Sequence, residues 1–348
     1  MASRRWISRI ALGAAVAAVT AAAAAPCGAD TLEEFYKGKT VQIVIGFAPG
    51  GAYDLYAQLL SRHLPKFMPG RPTLIVQHMP GGGGVKGTNY LYNVAPRDGS
   101  VLGMPYDAVA LMNVLTPHKV KYKATEFQWI GSALQVAYAL VVRNDSGVTS
   151  FDVLTRREAI VGTSGKGSLG FVFPSMLKWA TPAKIKLVLG YRGSSETLLA
   201  MERGEIQGTV LAWASLKTLK GDWLKKDGFA RPIVQFGTKK EADLPDVPLA
   251  VDLATTADAR AVAKAVGSVS LVGRSFVLPP KVSADKLAMM RSAFDRMVKD
   301  PEFIADAKAR HGDLSPVSGA EVQEAVAEAM KLDPALAAKA RQAVLGEP

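Results

Sequence analysis

The sequence predicts an α/β protein of two domains, and three observations carry this. A chain of 348 residues, 49% of them hydrophobic, supplies more than one core. A short apolar run, a glycine turn and a helical pattern follow one another twice between Thr40 and Val94. Two later apolar stretches, residues 128–142 and 267–277, read as crossovers between the two halves.

The first strand–turn–helix unit organises the chain. Val41, Ile43, Val44, Ile45 and Phe47 form an apolar run rich in β-branched residues, which predicts a strand covered on both faces. Pro49, Gly50 and Gly51 stop it. From Ala52 the period changes, and Tyr56, Leu59, Leu60, His63 and Leu64 recur about one helical turn apart. The turn therefore ends at a helix N-terminus, where unpartnered N–H groups and the peptide dipoles favour an anion. Gly50 and Gly51 let the backbone bend sharply and bring a ligand close to the amides. Asp54 either caps the helix or orients a water or ligand donor in the same turn.

The second unit repeats the pattern. A strand over 73–77 carries Leu74, Ile75 and Val76, runs through Met79 and Pro80 into Gly81, Gly82, Gly83 and Gly84, and gives way to a helix over 85–94. Two glycine loops at neighbouring strand ends would form jaws around one small anion at the carboxyl edge of the sheet. A turn at 95–99 precedes a third strand over 100–104. Beyond the crossover at 128–142, the second half is expected to hold a strand from Ala159 ending at Ser164 and a helix over 168–179. A strand over 186–189, a helix over 194–203 and a strand over 206–211 follow. The return at 267–277 leads to helices over 283–299 and 318–331. At the strand ends of the second half stand Ser164, Lys166, Ser168, Tyr191, Arg192 and Ser194, hydroxyls and cations suited to the free end of a bound anion. For Lys166, plain exposure is the alternative.

Residues 1–29 have the layout of a secretory signal peptide. Arg4, Arg5 and Arg9 precede an alanine-rich apolar segment from Ile10 to Ala25, and small residues follow to Ala29. The apolar run falls short of the ~20 residues a spanning helix needs, and Ser3 to Ile7 resembles a twin-arginine export signal. Cys27 is the only cysteine, so cleavage near Ala29 leaves a mature chain without thiol chemistry. The leader holds three of the positive charges and no acid, so a formal +11 becomes +8 (11 minus 3). Such a surface attracts anions, but no Lys/Arg block or basic–aromatic stripe points to nucleic acid.

No reaction centre is legible. His63, His78, His118 and His311 are scattered without metal-ligand spacing, so no metal is expected. Residues 162–165 lack the spacing of a nucleophile elbow, and Gly165-Lys166 is followed by glycine, unlike a P-loop. Gly82, Gly84 and Gly87 match GxGxxG with Asp107 twenty residues on, and Gly165, Gly167 and Gly170 match it again. An exported nucleotide-cofactor oxidoreductase is therefore the alternative reading.

Five short motifs stand in order: Phe47-Ala48-Pro49-Gly50-Gly51 with Asp54, Pro80 to Gly84, residues 95–99 (APRDG), residues 191–194 (YRGS) and residues 244–248 (LPDVP). In this order they resemble the Bug-type solute receptors of tripartite tricarboxylate transporters, from about Phe35 to Val322. The resemblance implies a two-domain periplasmic-binding-protein-like fold, each domain a mixed sheet flanked by helices, with the ligand cleft between them. It implies domain 1 over 30–138 and 275–348 and domain 2 over 139–274. It also implies a periplasmic monomer without enzymatic activity or cofactor, which passes a small organic mono- or dicarboxylate to membrane permease subunits. One carboxylate end would sit at Phe47, Gly50, Gly51, Ala52, Tyr53 and Asp54 and at Pro80 to Gly84, and Ser164, Ser168, Tyr191 and Arg192 would lie near the other. Leu211-Ala212 stands where many members have Asp-Ser, and Tyr53 and Tyr56 replace smaller residues. With Trp213, these suit an aromatic acid, or a dicarboxylate with an apolar middle, better than citrate.

Overall fold

The computed structural model describes residues 31–346 apart from 226, 238 and 268–271. The expected leader, with Cys27, lies outside the described residues, as does part of the return crossover. Eleven described strands run in chain order: β1 (Thr40–Ile45), β2 (Thr73–His78), β3 (Val101–Met104), β4 (Gln128–Ser132), β5 (Tyr138–Arg143), β6 (Ala159–Thr163), β7 (Ile185–Leu189), β8 (Gly208–Ala212), β9 (Ala230–Phe236), β10 (Ser275–Leu278) and β11 (Val317–Ser318). They form two mixed sheets, in the orders β11-β4-β10-β3-β1-β2 and β7-β6-β8-β5-β9, flanked by helices.

β1 pairs in parallel with β2 and β3, so the loops after β1 and β2 emerge at one edge of the first sheet. Its Val41, Ile43, Val44 and Ile45 are fully buried, as the unbroken apolar run requires of a central strand. In the second sheet, β6 lies parallel to β7 and β8, whereas β5 runs antiparallel to β8 and β9. β5 illustrates period two: Tyr138, Leu140 and Val142 enter the main core, while Ala139 and Val141 face a second cluster with Leu198, Leu211 and Trp213. Tyr138 leads into an aromatic column, Phe173 lying 5.2 Å from it and Phe236 stacking on Phe173 at 4.7 Å.

Residues 128–142 are not a single crossover. They hold β4 and β5, with the connection confined to residues 133–137. Both strands are buried almost throughout, so no alternation marks them and no Gly-Pro punctuation divides them. β9 is a further strand the pattern does not announce, because Pro232 interrupts it; the proline is tolerated on the edge of the sheet.

The chain leaves the first sheet after β4 and returns at β10, and the two passages are stitched together. Arg274 N–H donates to Leu134 C=O at 2.9 Å, and Ala133 N–H to Arg274 C=O at 3.0 Å. Gly273 takes φ +54°, and a Cβ there would lie 1.9 Å from the Leu134 carbonyl oxygen, so only glycine fits. Helix Pro334–Leu345 packs against helix Leu169–Ala180, and Arg341 Nε donates to Leu115 C=O at 2.7 Å.

Candidate functional site

Three helix N-termini meet at one cavity between the sheets. Gly51 precedes helix Ala52–His63, Ser168 precedes Leu169–Ala180, and Gly193 precedes Ser194–Glu202. All three N-cap residues line the cavity, and none supplies a side-chain cap. Glycine has no side chain to offer, and the Ser168 hydroxyl is turned to Gly165 C=O at 2.8 Å and Thr163 Oγ1 at 3.0 Å. The first N–H groups of three helices, with the positive ends of their dipoles, therefore converge where an anion would complete them.

Another part of the cavity wall holds a buried ion pair. Arg274 Nη1 lies 3.2 Å from Asp107 Oδ2, with the two side chains 4% and 7% exposed. Arg274 also reaches Tyr138 Oη at 3.4 Å and Ser215 Oγ at 3.5 Å, both long contacts, and its Nε has no partner. The ring of Tyr53 lies 4.5 Å from the guanidinium carbon, and its hydroxyl accepts from Asp107 N–H at 2.9 Å. Burial pushes the Asp107 carboxyl up from its ordinary 3.8, with the adjacent guanidinium opposing that rise. Burial and the Asp107 charge push the Tyr53 phenol up.

Of the residues expected from sequence, Phe47, Gly51, Ala52, Tyr53, Ser164, Ser168 and Ser194 line this cavity. Pro80, Gly81, Gly82, Gly83, Tyr191 and Arg192 line an adjoining hollow, which shares Phe47 and Ser164 with the first. The two glycine loops are thus neighbours, with Gly51 on one hollow and Gly83 on the adjoining one. Gly83 instead packs backbone to backbone on the second half: a Cβ would lie 2.7 Å from Ser168 N and 3.0 Å from Gly165 O. Gly84 lines neither hollow, and a Cβ there would meet Tyr106 Cβ at 2.6 Å. Close packing accounts for these glycines. Likewise Gly165 abuts Gly82 and Gly83, Gly167 abuts Val85, and Gly87 abuts Gly46, so both GxGxxG runs are engaged by neighbouring chain.

Gly50 and Asp54 stand behind the cavity wall. Asp54 Oδ2 accepts from Gly50 N–H at 2.9 Å and Oδ1 lies 2.8 Å from His78 Nε2, so it braces the turn from behind. Arg192 is exposed, with its guanidinium held by Glu196. Trp213 is a correction to the distal-pocket expectation. As the first residue of helix Trp213–Lys220 it sits in the second core cluster, its indole N–H donating to the Asp243 carboxylate at 2.9 and 3.0 Å, and it lines a different hollow.

Leu211 and Ala212, expected at the distal pocket, line the cavity with Thr209 beside them, whereas sequence reasoning missed Arg274, Tyr138 and Ser215 and knew Asp107 only for its spacing from Gly87. The available signal was Arg274 itself, a lone charge within an apolar stretch. Among the described residues no group of three or more His, Cys, Asp or Glu side chains is arranged for a metal, and no helix is long and apolar enough to cross a membrane.

No family model matches the chain. A UPF0065 protein from the gbd 5' region of Cupriavidus necator is 27% identical over 263 residues, 73% of this chain and 75% of that protein. BugT of Bordetella pertussis is 27% identical over 202 residues, 55% of this chain and 59% of its own length. The periplasmic binding protein BugD superposes with a TM-score of 0.70 at 16% identity, covering 88% of this chain and 98% of that one. The resemblance to the Bug family is borne out. Two further solved structures share this fold: Rpa4515 of R. palustris with adipate (TM-score 0.67, 19% identity, 87% and 97% covered) and MatC from Rhodopseudomonas palustris with bound malate (TM-score 0.64, 16% identity, 84% and 98% covered). The two-sheet architecture expected from the sequence is the one these proteins share.

Proposed function

We propose that this chain is an extracytoplasmic solute receptor that holds a small organic carboxylate between its two sheets and delivers it to the permease subunits of a tripartite tricarboxylate-type transporter. The observation that carries this reading is the convergence of three helix N-termini without side-chain caps on one cavity that also contains a buried arginine. Charge-assisted hydrogen bonds to a carboxylate contribute roughly 1.5–3 kcal/mol each, so three or four outweigh its desolvation. Solved structures of the same fold with malate and adipate support a carboxylate as the ligand.

In this reading residues 1–29 direct export, the mature protein is a periplasmic monomer without enzymatic activity, and residues 30–138 with 275–348 close on residues 139–274. The stitched passages at Ala133–Leu134 and Arg274 serve as the hinge. The test is a thermal-shift and calorimetric panel of mono- and dicarboxylates against NAD and NADP. A ligand at a hundredfold excess over Kd adds about 2.7 kcal/mol of stability, which raises Tm by several degrees. A panel in which no carboxylate moves Tm, or only the dinucleotides do, overturns the proposal.

A further inference from the structure

We infer that Arg274 reads a second carboxylate on the ligand, which makes this cavity selective for dicarboxylates over monocarboxylates of the same length. The inference rests on the receptor reading above and adds to it the residue that sets ligand class.

A guanidinium offers five N–H donors in two forks, one formed by the two Nη groups and one by Nε with Nη2. In Arg274 the Nη1 side is engaged by Asp107 Oδ2 and Tyr138 Oη. Along the other fork Nε has no partner, and Nη2 has only Ser215 Oγ at 3.5 Å. A buried cation with one bidentate edge nearly unused lacks an acceptor, and a carboxylate matches that edge in charge and geometry. The Tyr53 ring lies over the guanidinium, which leaves binding to the edges.

Placement supports the assignment. Arg274 and the three helix N-termini line the same cavity, so one carboxylate can complete the amides while the other meets the guanidinium. Asp107 keeps Arg274 oriented in the empty cavity without occupying the Nε edge. Arg274 also lies in the proposed hinge passage, immediately before β10, with its main chain bonded to Ala133 and Leu134. Opening of the cleft gives the ligand access to that edge, and a second carboxylate bound there couples ligand length to closure. A monocarboxylate fills the amide end and leaves the Nε edge as it is.

The experiment is isothermal calorimetry on the exported chain with adipate and succinate, each against its monomethyl ester, which keeps chain length and removes one charge. Wild type is expected to prefer at least one diacid over its ester by tenfold or more. Arg274→Gln is expected to bring the affinities for that diacid and its ester within threefold of one another, with Arg274→Lys retaining part of the preference. Equal binding of acid and ester by wild type overturns the inference without any variant, and so does a full preference in Arg274→Gln. Carboxylate binding without that preference leaves the receptor reading standing. Wild type that binds no carboxylate of the wider panel overturns both.

Discussion

Asp54 and His78 join the two glycine-bearing turns: Oδ1 of Asp54 lies 2.8 Å from Nε2 of His78, at the end of β2, while Oδ2 accepts from Gly50 N–H. The turn after β1 is thereby tied to the strand that leads into Pro80 and Gly81–Gly84. Asp54→Ala removes both bonds, and hydrogen bonds to a charged group are worth about 1.5–3 kcal/mol each. The expected outcome is a loss of roughly 3 kcal/mol or more in urea unfolding and about a tenfold loss of carboxylate affinity by calorimetry. Asp54→Asn, which keeps an acceptor for Gly50 N–H, should recover most of the affinity. Undiminished affinity in Asp54→Ala would show that the turn needs no brace.

Gly83 is the point where the loop after β2 meets the turn before helix Leu169–Ala180. At φ +71°, with a Cβ 2.7 Å from Ser168 N, Gly83→Ala adds left-handed strain of roughly 1–2 kcal/mol and forces the two turns apart. A folded protein with a larger scattering radius in saturating ligand is expected, together with weaker binding. A radius and an affinity equal to those of wild type would sink this account of the four glycines.

The raised pKa of Asp107 gives stability a definite slope with pH. A carboxyl that holds its proton more firmly in the folded chain contributes most at low pH, and that contribution declines as pH rises from about 3.8 through the folded value. Asp107→Asn removes the decline. The unfolding free energy of wild type minus that of the variant should therefore shift against wild type across this window and level off above it. A difference that grows in favour of wild type with rising pH would contradict the assigned direction.

Gly273 separates steric from conformational cost. Its φ of +54° resembles the +71° of Gly38, but a Cβ at Gly38 meets nothing within 4 Å, whereas at Gly273 it would lie 1.9 Å from Leu134 O. Gly38→Ala is expected to cost about 1 kcal/mol. Gly273→Ala should cost more than about 4 kcal/mol in urea titrations, because the two bonded passages at 133–134 and 273–274 must separate. Similar losses at the two positions would mean that these passages yield easily.

The first half of the site was legible because a change of period at Ala52, directly after two glycines, fixes a strand end and a helix start at once. β4 and β5 were not, since strands buried on both faces lack alternation, and helix Pro301–Ala309 was overlooked although Asp300-Pro301 is a helix-start signal. Arg274 was hidden for a different reason. Its partner Asp107 lies 167 residues earlier, and no local pattern predicts a pairing over that distance. Asp107 even had a competing interpretation, as the acid spaced for a ribose after Gly87, which the fold resolves by giving it to Arg274.

The seat of Trp213 on Asp243 has a practical bearing on how occupancy can be observed. Trp129, Trp179, Trp213 and Trp223 all stand away from the chamber wall, whose aromatic members are Phe47, Tyr53 and Tyr138. A non-aromatic guest therefore meets no indole in the chamber wall. Under the proposed closing motion, a change in indole emission on titration is expected to follow that motion, and heat or a radiolabel reports the guest itself.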